Sequence, residues 1–242
     1  MQSSDGSEIV DDLAVANSFA VYFPSVFRQH DDMSCRLLPP TFVSLDSVVA
    51  DIPCILTAIG KLSDKISLTP DDILSYFLKL TADAICVPFF LSLFGLSLFG
   101  ACLPKAWKTA IVVPLLKKQP FSSVCNCHPI SLISSVCKVL EILVSDSVTT
   151  HLLSLGLLHS SQHGFRAGCP TLSQFVLASA DWFSTFNDPV QTEVVYFARA
   201  SDVACHRKLL LMLEPYGISG ALLKWVGSFM MRSTFRVKVG NF

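Results

Sequence analysis

The stretch that decides the fold class of this chain reads Leu103-Pro104-Lys105-Ala106-Trp107-Lys108-Thr109-Ala110-Ile111-Val112-Val113-Pro114-Leu115-Leu116-Lys117-Lys118. Its β-branched centre predicts a strand over Lys108–Leu116, because branched side chains fit a pleated sheet well. A strand that delivers two lysines into the next loop suits contact with a phosphate chain, although a solvated basic turn is the plainer interpretation. The stretch therefore predicts a sheet whose following loop is a candidate phosphate contact.

Outside this stretch the apolar periodicity is mostly helical. Two further strands are predicted, at Thr192–Phe197 and at Thr234–Val239. Since Thr234–Val239 would leave an exposed sheet edge, we expect marginal stability of the isolated chain. The sequence thus predicts an α+β fold that is helix-rich with few strands. Helices are predicted over Asp12–Phe23, Asp46–Leu62, Asp71–Thr81, Ile85–Gly100, Leu132–Leu155, Thr171–Phe186, Arg207–Leu213 and Ala221–Met231.

The run from Ala84 to Leu103 contains no charged residue and has two interpretations. About twenty apolar residues are enough to span a bilayer as a helix. Against that, the small residues of the run recur at spacings typical of one weakly polar face of a buried helix. These small residues are Ser92, Gly95, Ser97 and Gly100.

The composition is that of a protein with a sizeable core. Of the 242 residues, 51% are hydrophobic and 15% are charged, which argues against disorder over most of the length. The net charge of −1 hides a local polarity, because residues 1–50 are acidic while residues 101–140 carry five lysines and no acid. Phosphate binding requires such local positive charge rather than a high total, although basic surfaces also occur on unrelated proteins.

The nine cysteines show no paired spacing that would indicate disulfides or a zinc site. The tightest cluster is Cys125-x-Cys127-His128, and no second ligand pair accompanies it. Residues Met1–Ser7 are polar and have no apolar core of a secretory signal. We therefore expect reduced thiols, no metal site and an intracellular protein of unspecified compartment.

Two more strings of residues stand out after the lysine pair. The first is Asn126-Cys127-His128-Pro129-Ile130-Ser131-Leu132, which leads to Cys137-Lys138-x-x-Glu141. The second is Ser161-Gln162-His163-Gly164-Phe165-Arg166. In this second string the glycine permits close backbone approach, the phenylalanine offers a stacking or packing face, and the arginine offers a phosphate contact.

Together these strings closely resemble motifs of the reverse transcriptases of non-LTR (LINE-type) retrotransposons. The similar positions are Leu103-Pro104-x-x-Trp107-Lys108, the Asn126–Leu132 string, and Gln162-x-Gly164-Phe165-Arg166, followed by Tyr216-Gly217-Ile218 and Trp225. The resemblance covers about residues 10–242. It implies the fingers and part of the palm of a right-handed polymerase fold. It also places the apolar run in the core of the fingers, so no membrane contact is expected.

The resemblance implies three regions along the chain: residues 1–45 as an acidic, linker-like N-terminal region, residues 46–190 as a fingers-like region, and residues 191–242 as an incomplete palm-like region. It implies RNA or DNA as partner, bound through basic fingers residues, and no small-molecule substrate. The residues implied to contact nucleic acid or nucleotide are Lys108, Lys117, Lys118, His128, Gln162, Gly164, Phe165 and Arg166.

The chain departs from the family where the catalytic metal should bind. Intact members hold Mg²⁺ with carboxylates, the first of which stands between positions equivalent to Phe197 and Ala198, where this chain has no residue. Asp202 aligns with a second aspartate that is not a ligand, and the later aspartate pair would follow Phe242. In addition, His128 replaces an arginine that the family uses for the incoming triphosphate. The resemblance therefore predicts no catalytic residue, no bound metal and no cofactor in this chain.

The sequence leaves four functional hypotheses open. One is a membrane protein anchored by the apolar run Ala84–Leu103, and the other three follow from the resemblance. The first is a reverse transcriptase (RNA-directed DNA polymerase)-like domain fragment that is catalytically inactive. The second is a non-enzymatic remnant that binds RNA or DNA. The third is a misread piece of an active reverse transcriptase, because the family pattern continues on both sides of a clean gap after Phe197.

Overall fold

A computed structural model of the chain describes residues 11–26, 41–64, 69–117, 123–185, 193, 204–231 and 233–240. It divides into two compact units, one formed by Met1–Val148 with Asp202–Phe242 and the other by Thr149–Ser201. Helices and a sheet occur together in the first unit, so the α+β class predicted from the sequence is correct at this level. The three regions that the resemblance implies remain a prediction.

A three-stranded sheet organises part of the first unit, with the strand order β2-β1-β3. The central strand β1 (Thr109–Leu116) pairs antiparallel with β2 (Cys127–Leu132) and parallel with β3 (Thr234–Val237). The strand predicted over Lys108–Leu116 is confirmed, although Lys108 belongs to a 3₁₀ turn, Lys105–Lys108, that precedes it. Among the described residues, the strand that starts at Thr234 lies at an edge of the sheet, as predicted.

Strand β2 was missed by the sequence analysis. Its residues include Pro129 and polar side chains, which weaken any local strand signal. It forms beside β1, with which it pairs antiparallel, so that Val113 lies opposite Ile130 and Pro114 lies opposite Pro129. The predicted strand Thr192–Phe197 lies, apart from Glu193, outside the described residues.

The helix α1 (Asp12–Val26) covers one face of the sheet. Asp11 begins it by accepting a hydrogen bond from the Ala14 backbone N–H at 3.0 Å, as expected of a carboxylate at a helix start. Phe19 and Phe23 stack with ring centroids 5.2 Å apart. Together with Val15 they form a small core with Val112 and Cys127 of the sheet.

The larger core of the first unit is helical. Its helices are α2 (Ile52–Gly60), α3 (Ser75–Leu80), α4 (Val87–Phe99), α5 (Ser135–Ser154), α7 (His206–Leu213) and α8 (Gly220–Met230). A single π-helical turn, Ala82–Cys86, leads into α4. The most deeply buried large side chains in this core come from α2, α4, α5 and α8 and include Ile59, Phe90, Phe94, Leu140 and Trp225.

Three helices begin later than the apolar periodicity predicts. The helix predicted from Asp46 begins at Ile52, because Asp51 caps it and Pro53 is fixed for the first turn. The helix predicted from Leu132 begins at Ser135, since Leu132 ends β2 and the Ser134 hydroxyl accepts a bond from the Cys137 N–H. The helix predicted from Asp71 begins at Ser75.

The apolar run forms a core helix, as predicted. Phe90, Phe94 and Ser97 on α4 are buried, and the Trp225 indole N–H donates to the Ser97 hydroxyl at 3.0 Å. One stripe of α4 stays exposed and includes Phe89 and Phe99. Among the described helices, none has both the length and the apolar character needed to cross a membrane.

The second unit, described by itself, contains the end of α5, a segment of turns and the helix α6 (Thr171–Thr185). The helix predicted over Thr171–Phe186 is therefore confirmed through Thr185. Its large apolar side chains, among them Leu172, Phe175 and Val176, are exposed.

Candidate nucleic-acid interface

The sheet face that α1 does not cover carries exposed side chains. Because side chains alternate along a strand, Leu115 and Lys117 point away from the α1 side on which Val112 is buried. His128 lies directly opposite Leu115 and therefore shares its face. The Lys117 N–H donates to the Asn126 carbonyl at 2.8 Å, which continues the pairing past the end of β1. The structure thus brings together two of the predicted contacts, Lys117 and His128.

Strand β3 adds a second cation, Arg236, to this face. Arg236 pairs with Ile111. Ile111 lies an even number of residues before Val113 and Leu115, so its side chain is on the same face of β1 as theirs. Arg236 therefore shares that face. The Arg236 side chain is exposed, whereas Phe235 beside it packs against the α1 core. We call this surface the open face and define it by Leu115, Lys117, His128, Ile130 and Arg236.

Arg236 was not among the residues predicted to contact nucleic acid. The sequence signal for Arg236 is the alternation in Thr234-Phe235-Arg236-Val237, which places Arg236 on the face opposite to Phe235 and Val237. That alternation does not reveal which strand β3 pairs with. Only the pairing with β1 places Arg236 on the same face as His128.

The structure does not place Lys108 with this group. Lys108 precedes β1, and Lys117 follows its other end, so about 29–31 Å separate their backbones at the usual rise of a strand. The Lys108 ammonium donates to the Met231 carbonyl at 3.4 Å, at the C-terminal end of α8. A cation there stabilises the helix terminus. Lys118 lies outside the described residues.

The other four predicted contacts form a loop in the second unit. Gln162 donates through Nε2 to the Gly164 carbonyl at 3.1 Å. Arg166 donates through Nη1 to the carbonyls of His159 and Gln162, at 3.3 and 3.2 Å. Phe165, between these two braces, has a positive φ of 61° and a fully exposed ring. The polar side chains of this motif thus hold their own loop, and the aromatic ring faces solvent.

The described residues do not form a site for the Mg²⁺ that reverse transcriptases, which the sequence resembles, would bind. Within the described part of the chain, no group of three or more His, Cys, Asp or Glu is arranged to ligate a metal ion. Asp71 accepts a hydrogen bond from the Ser134 hydroxyl at 2.5 Å and another from the Ile73 N–H. It acts in capping and loop closure. Asp202 and the segment around Phe197 lie outside the described residues.

Two members of the Cys125-x-Cys127-His128 cluster, Cys127 and His128, lie on opposite faces of the sheet. Cys127 is buried on the side that α1 covers, whereas His128, the next residue of β2, is exposed on the open face. Neighbouring residues of a strand point in opposite directions, so these two side chains do not converge on one ion. Burial raises the pKa of the Cys127 thiol, which disfavours the thiolate that a metal would need.

A polar cleft lies elsewhere in the first unit, at the ends of α2 and α3 beside α5. It has a volume of about 440 Å³ and is lined in part by Ser75, Lys138 and Glu141. Burial raises the pKa of the Glu141 carboxyl, and the Lys138 ammonium opposes that rise only in part. At the rim, Lys61 and Asp146 form an exposed ion pair with 2.6 Å between Nζ and Oδ2.

No protein-family model matches this chain, and no curated protein matches it.

Proposed function

We propose that this chain is a fragment of a LINE-type reverse transcriptase-like domain that binds RNA or DNA and does not polymerise it. The observation that supports binding is the open face, where β2, β3 and the residue that follows β1 each contribute one nitrogen-bearing side chain. These groups are Lys117, His128 and Arg236, and exposed apolar side chains stand between them.

The dimensions of the open face suit a polyanion. Arg236 lies opposite Ile111, six residues before Lys117 on the central strand, which corresponds to about 20 Å along that strand. One strand of a duplex advances about 3.4 Å for each phosphate, so this length corresponds to about six phosphates. A run of cations on that scale provides the salt-dependent attraction that dominates binding of nucleic acid.

The apolar members of the open face have a role in the same proposal. Leu115 is 58% exposed although it belongs to the central strand of the sheet. Ile130 on β2 is exposed as well. Aliphatic side chains between cations can contact sugars and base faces while the cations contact phosphates. The open face would therefore bind nucleic acid without reading its sequence by hydrogen bonds.

The catalytic part of the proposal rests on the resemblance and on the gap after Phe197. The family places its first metal-binding aspartate at this point, and here Phe197 is followed directly by Ala198. Two-metal catalysis needs carboxylates that hold both ions beside the primer hydroxyl and the leaving group. The proposal assigns no step of phosphoryl transfer to this chain.

Binding is tested by fluorescence anisotropy of a labelled 15-nucleotide RNA over a series of salt concentrations. The double variant Lys117→Gln/Arg236→Gln should bind more weakly, and its log–log salt slope should be shallower by about 0.7 for each lost phosphate contact. Lys224→Gln removes an exposed cation from α8 and is the control for net charge. Equal affinities and slopes for wild type and double variant would refute the role of the open face.

Catalysis is tested separately by primer extension with the purified chain and Mg²⁺. The proposal expects no extended product. Extension that disappears with a chelator would overturn the inactive assignment and would favour the third hypothesis, a misread piece of an active enzyme.

A further inference from the structure

The loop between α5 and α6 presents one aromatic ring from an unusual backbone conformation. Phe165 has a φ of 61°, in the left-handed region that favours glycine, and its side chain is 103% exposed. A bulky residue rarely adopts this conformation, because its Cβ crowds the backbone. Because the ring is not buried, no packing energy offsets the strain of this backbone conformation. Packing in a core is the usual reason for a large apolar residue at a strained position, and that reason is absent here.

Two side chains of the same loop hold the backbone on either side of Phe165. The Gln162 amide donates to the Gly164 carbonyl, and the Arg166 guanidinium donates to the carbonyls of His159 and Gln162. The Arg166 N–H also donates to the His163 carbonyl at 3.3 Å. These bonds hold the backbone from which the ring projects. A loop held in advance loses less conformational entropy when a ligand stacks on its ring.

The charge around the ring is suited to an anionic partner. Residues 155–170 include Arg166 and contain no aspartate or glutamate. A flat aromatic surface with a cation beside it is the combination that single-stranded nucleic acid uses, with a base on the ring and a phosphate near the cation. In a duplex the base faces are covered by their neighbours in the stack, and the ring would have no surface to contact.

We propose that Phe165 is a stacking platform for an unpaired base of single-stranded RNA or DNA. This inference rests on the proposed function and specifies its ligand. Arg166 is then a positioning residue, because its guanidinium braces the loop from which the ring projects. The role that the sequence suggested for it, a direct phosphate contact, is secondary in this arrangement.

The test replaces the ring without disturbing the loop. Asparagine tolerates the left-handed region, so Phe165→Asn keeps the backbone and removes the platform. Phe165→Trp keeps a platform of larger area. Phe42→Asn is the matched control, since Phe42 is a fully exposed phenylalanine in the first unit. Circular dichroism and thermal melting of each variant confirm that the fold is retained.

The probes are a labelled 15-nucleotide single-stranded RNA and a blunt RNA duplex of the same length. Phe165→Asn should weaken binding of the single strand about fivefold or more, as expected for loss of one base–aromatic stack, and should leave duplex binding unchanged. Phe165→Trp should bind the single strand as well as wild type, and Phe42→Asn should have no effect on either probe.

Several results would overturn the stacking role. Unchanged single-strand affinity of Phe165→Asn would do so, and so would an equal loss for single strand and duplex. Self-association that depends on Phe165, with RNA affinity unchanged, would assign the ring to a protein contact instead. If Phe165→Asn has no effect while Lys117→Gln/Arg236→Gln weakens binding, the stacking role fails and the proposed function stands. If neither change matters, both fail.

Discussion

Of the two serines in α4, Ser97 faces the core and joins two helices through its hydroxyl. It accepts a hydrogen bond from the Trp225 indole N–H at 3.0 Å and donates one to the Cys102 carbonyl at 2.8 Å. Ser92, on the same helix, is exposed. The sequence suggested a weakly polar helix face here. At Ser97 the structure shows that the polar group serves to pair a buried tryptophan, whose N–H requires an acceptor.

We predict that Ser97→Ala lowers the free energy of unfolding by about 1–3 kcal/mol, because the buried indole N–H loses its acceptor. Ser92→Ala should change it by less than about 0.5 kcal/mol, since an exposed substitution of this kind removes no buried contact. Urea denaturation of both variants measures the difference. Equal effects of the two substitutions would contradict the role of Ser97.

The half-buried carboxyl of Glu141 is a second group whose chemistry differs from that of its exposed neighbours. Burial raises the pKa of Glu141 in the folded protein above that in the unfolded chain. The folded state therefore holds the proton more tightly, and ionisation of Glu141 at neutral pH disfavours folding. This destabilisation is absent below the unfolded-state pKa, near 4.3, and is complete above the folded-state pKa.

We predict that Glu141→Gln raises the free energy of unfolding relative to wild type at pH 8 and that this gain shrinks as the pH falls to 4. Urea midpoints at the two pH values measure it. Asp146→Asn is the control on the same helix, because its carboxylate forms an exposed pair with Lys61 that contributes at most about 1 kcal/mol. A gain for Glu141→Gln that is independent of pH would show that packing, and not ionisation, is responsible.

Among the elements, α1 decides which face of the sheet is available to a ligand. It contributes Val15, Phe19 and Phe23 to a core with Val112 and Cys127. Because α1 covers that side, Lys117, His128 and Arg236 lie on the other. The N-terminal helix therefore has a structural role in the candidate interface although none of its residues belongs to the open face.

We predict that Phe19→Ala lowers the free energy of unfolding by about 3–5 kcal/mol, since Phe19 is fully buried and stacks on Phe23. Val21→Ala, at an exposed position of the same helix, should have a small effect. Thermal or urea unfolding followed by circular dichroism provides the comparison. If α1 were a detached linker, both substitutions would be equally mild.

The first residues of α2 and α5 are set by side-chain hydrogen bonds, which the periodicity of apolar residues in the sequence does not reveal. Asp51 and Ser134 cap α2 and α5, and each marks the point at which a longer predicted helix begins. The π-helical turn before α4 was likewise invisible to pattern analysis. Existence and type of the long helices were predictable, because their apolar positions repeat locally.

At the scale of the whole molecule, the sheet of the first unit has two edges within the described residues, β2 and β3. Unpaired backbone groups at such edges invite association with other strands. The exposed position of the strand beginning at Thr234 agrees with the sequence analysis, and the marginal stability expected from it stays a prediction. In the second unit α6 exposes several large apolar side chains, among them Leu172 and Phe175.

The sequence by itself predicted the helices with strong apolar repeats and the central strand β1. It also identified the residues around Phe165 as a candidate nucleic-acid contact. These features depend on neighbours within a few positions, so local propensity and spacing are enough to indicate them.

Only the tertiary structure decided which of the candidate residues meet. His128 and Arg236 lie on the same face of the sheet because β2 and β3, which are distant in sequence, pair with the two edges of β1. The Lys108 side chain instead contacts the end of α8. The role of Arg166 as a brace depends on the path of its own loop. Pairing of distant strands and the direction of a long side chain depend on the packed neighbours of each group, and no local pattern contains that information.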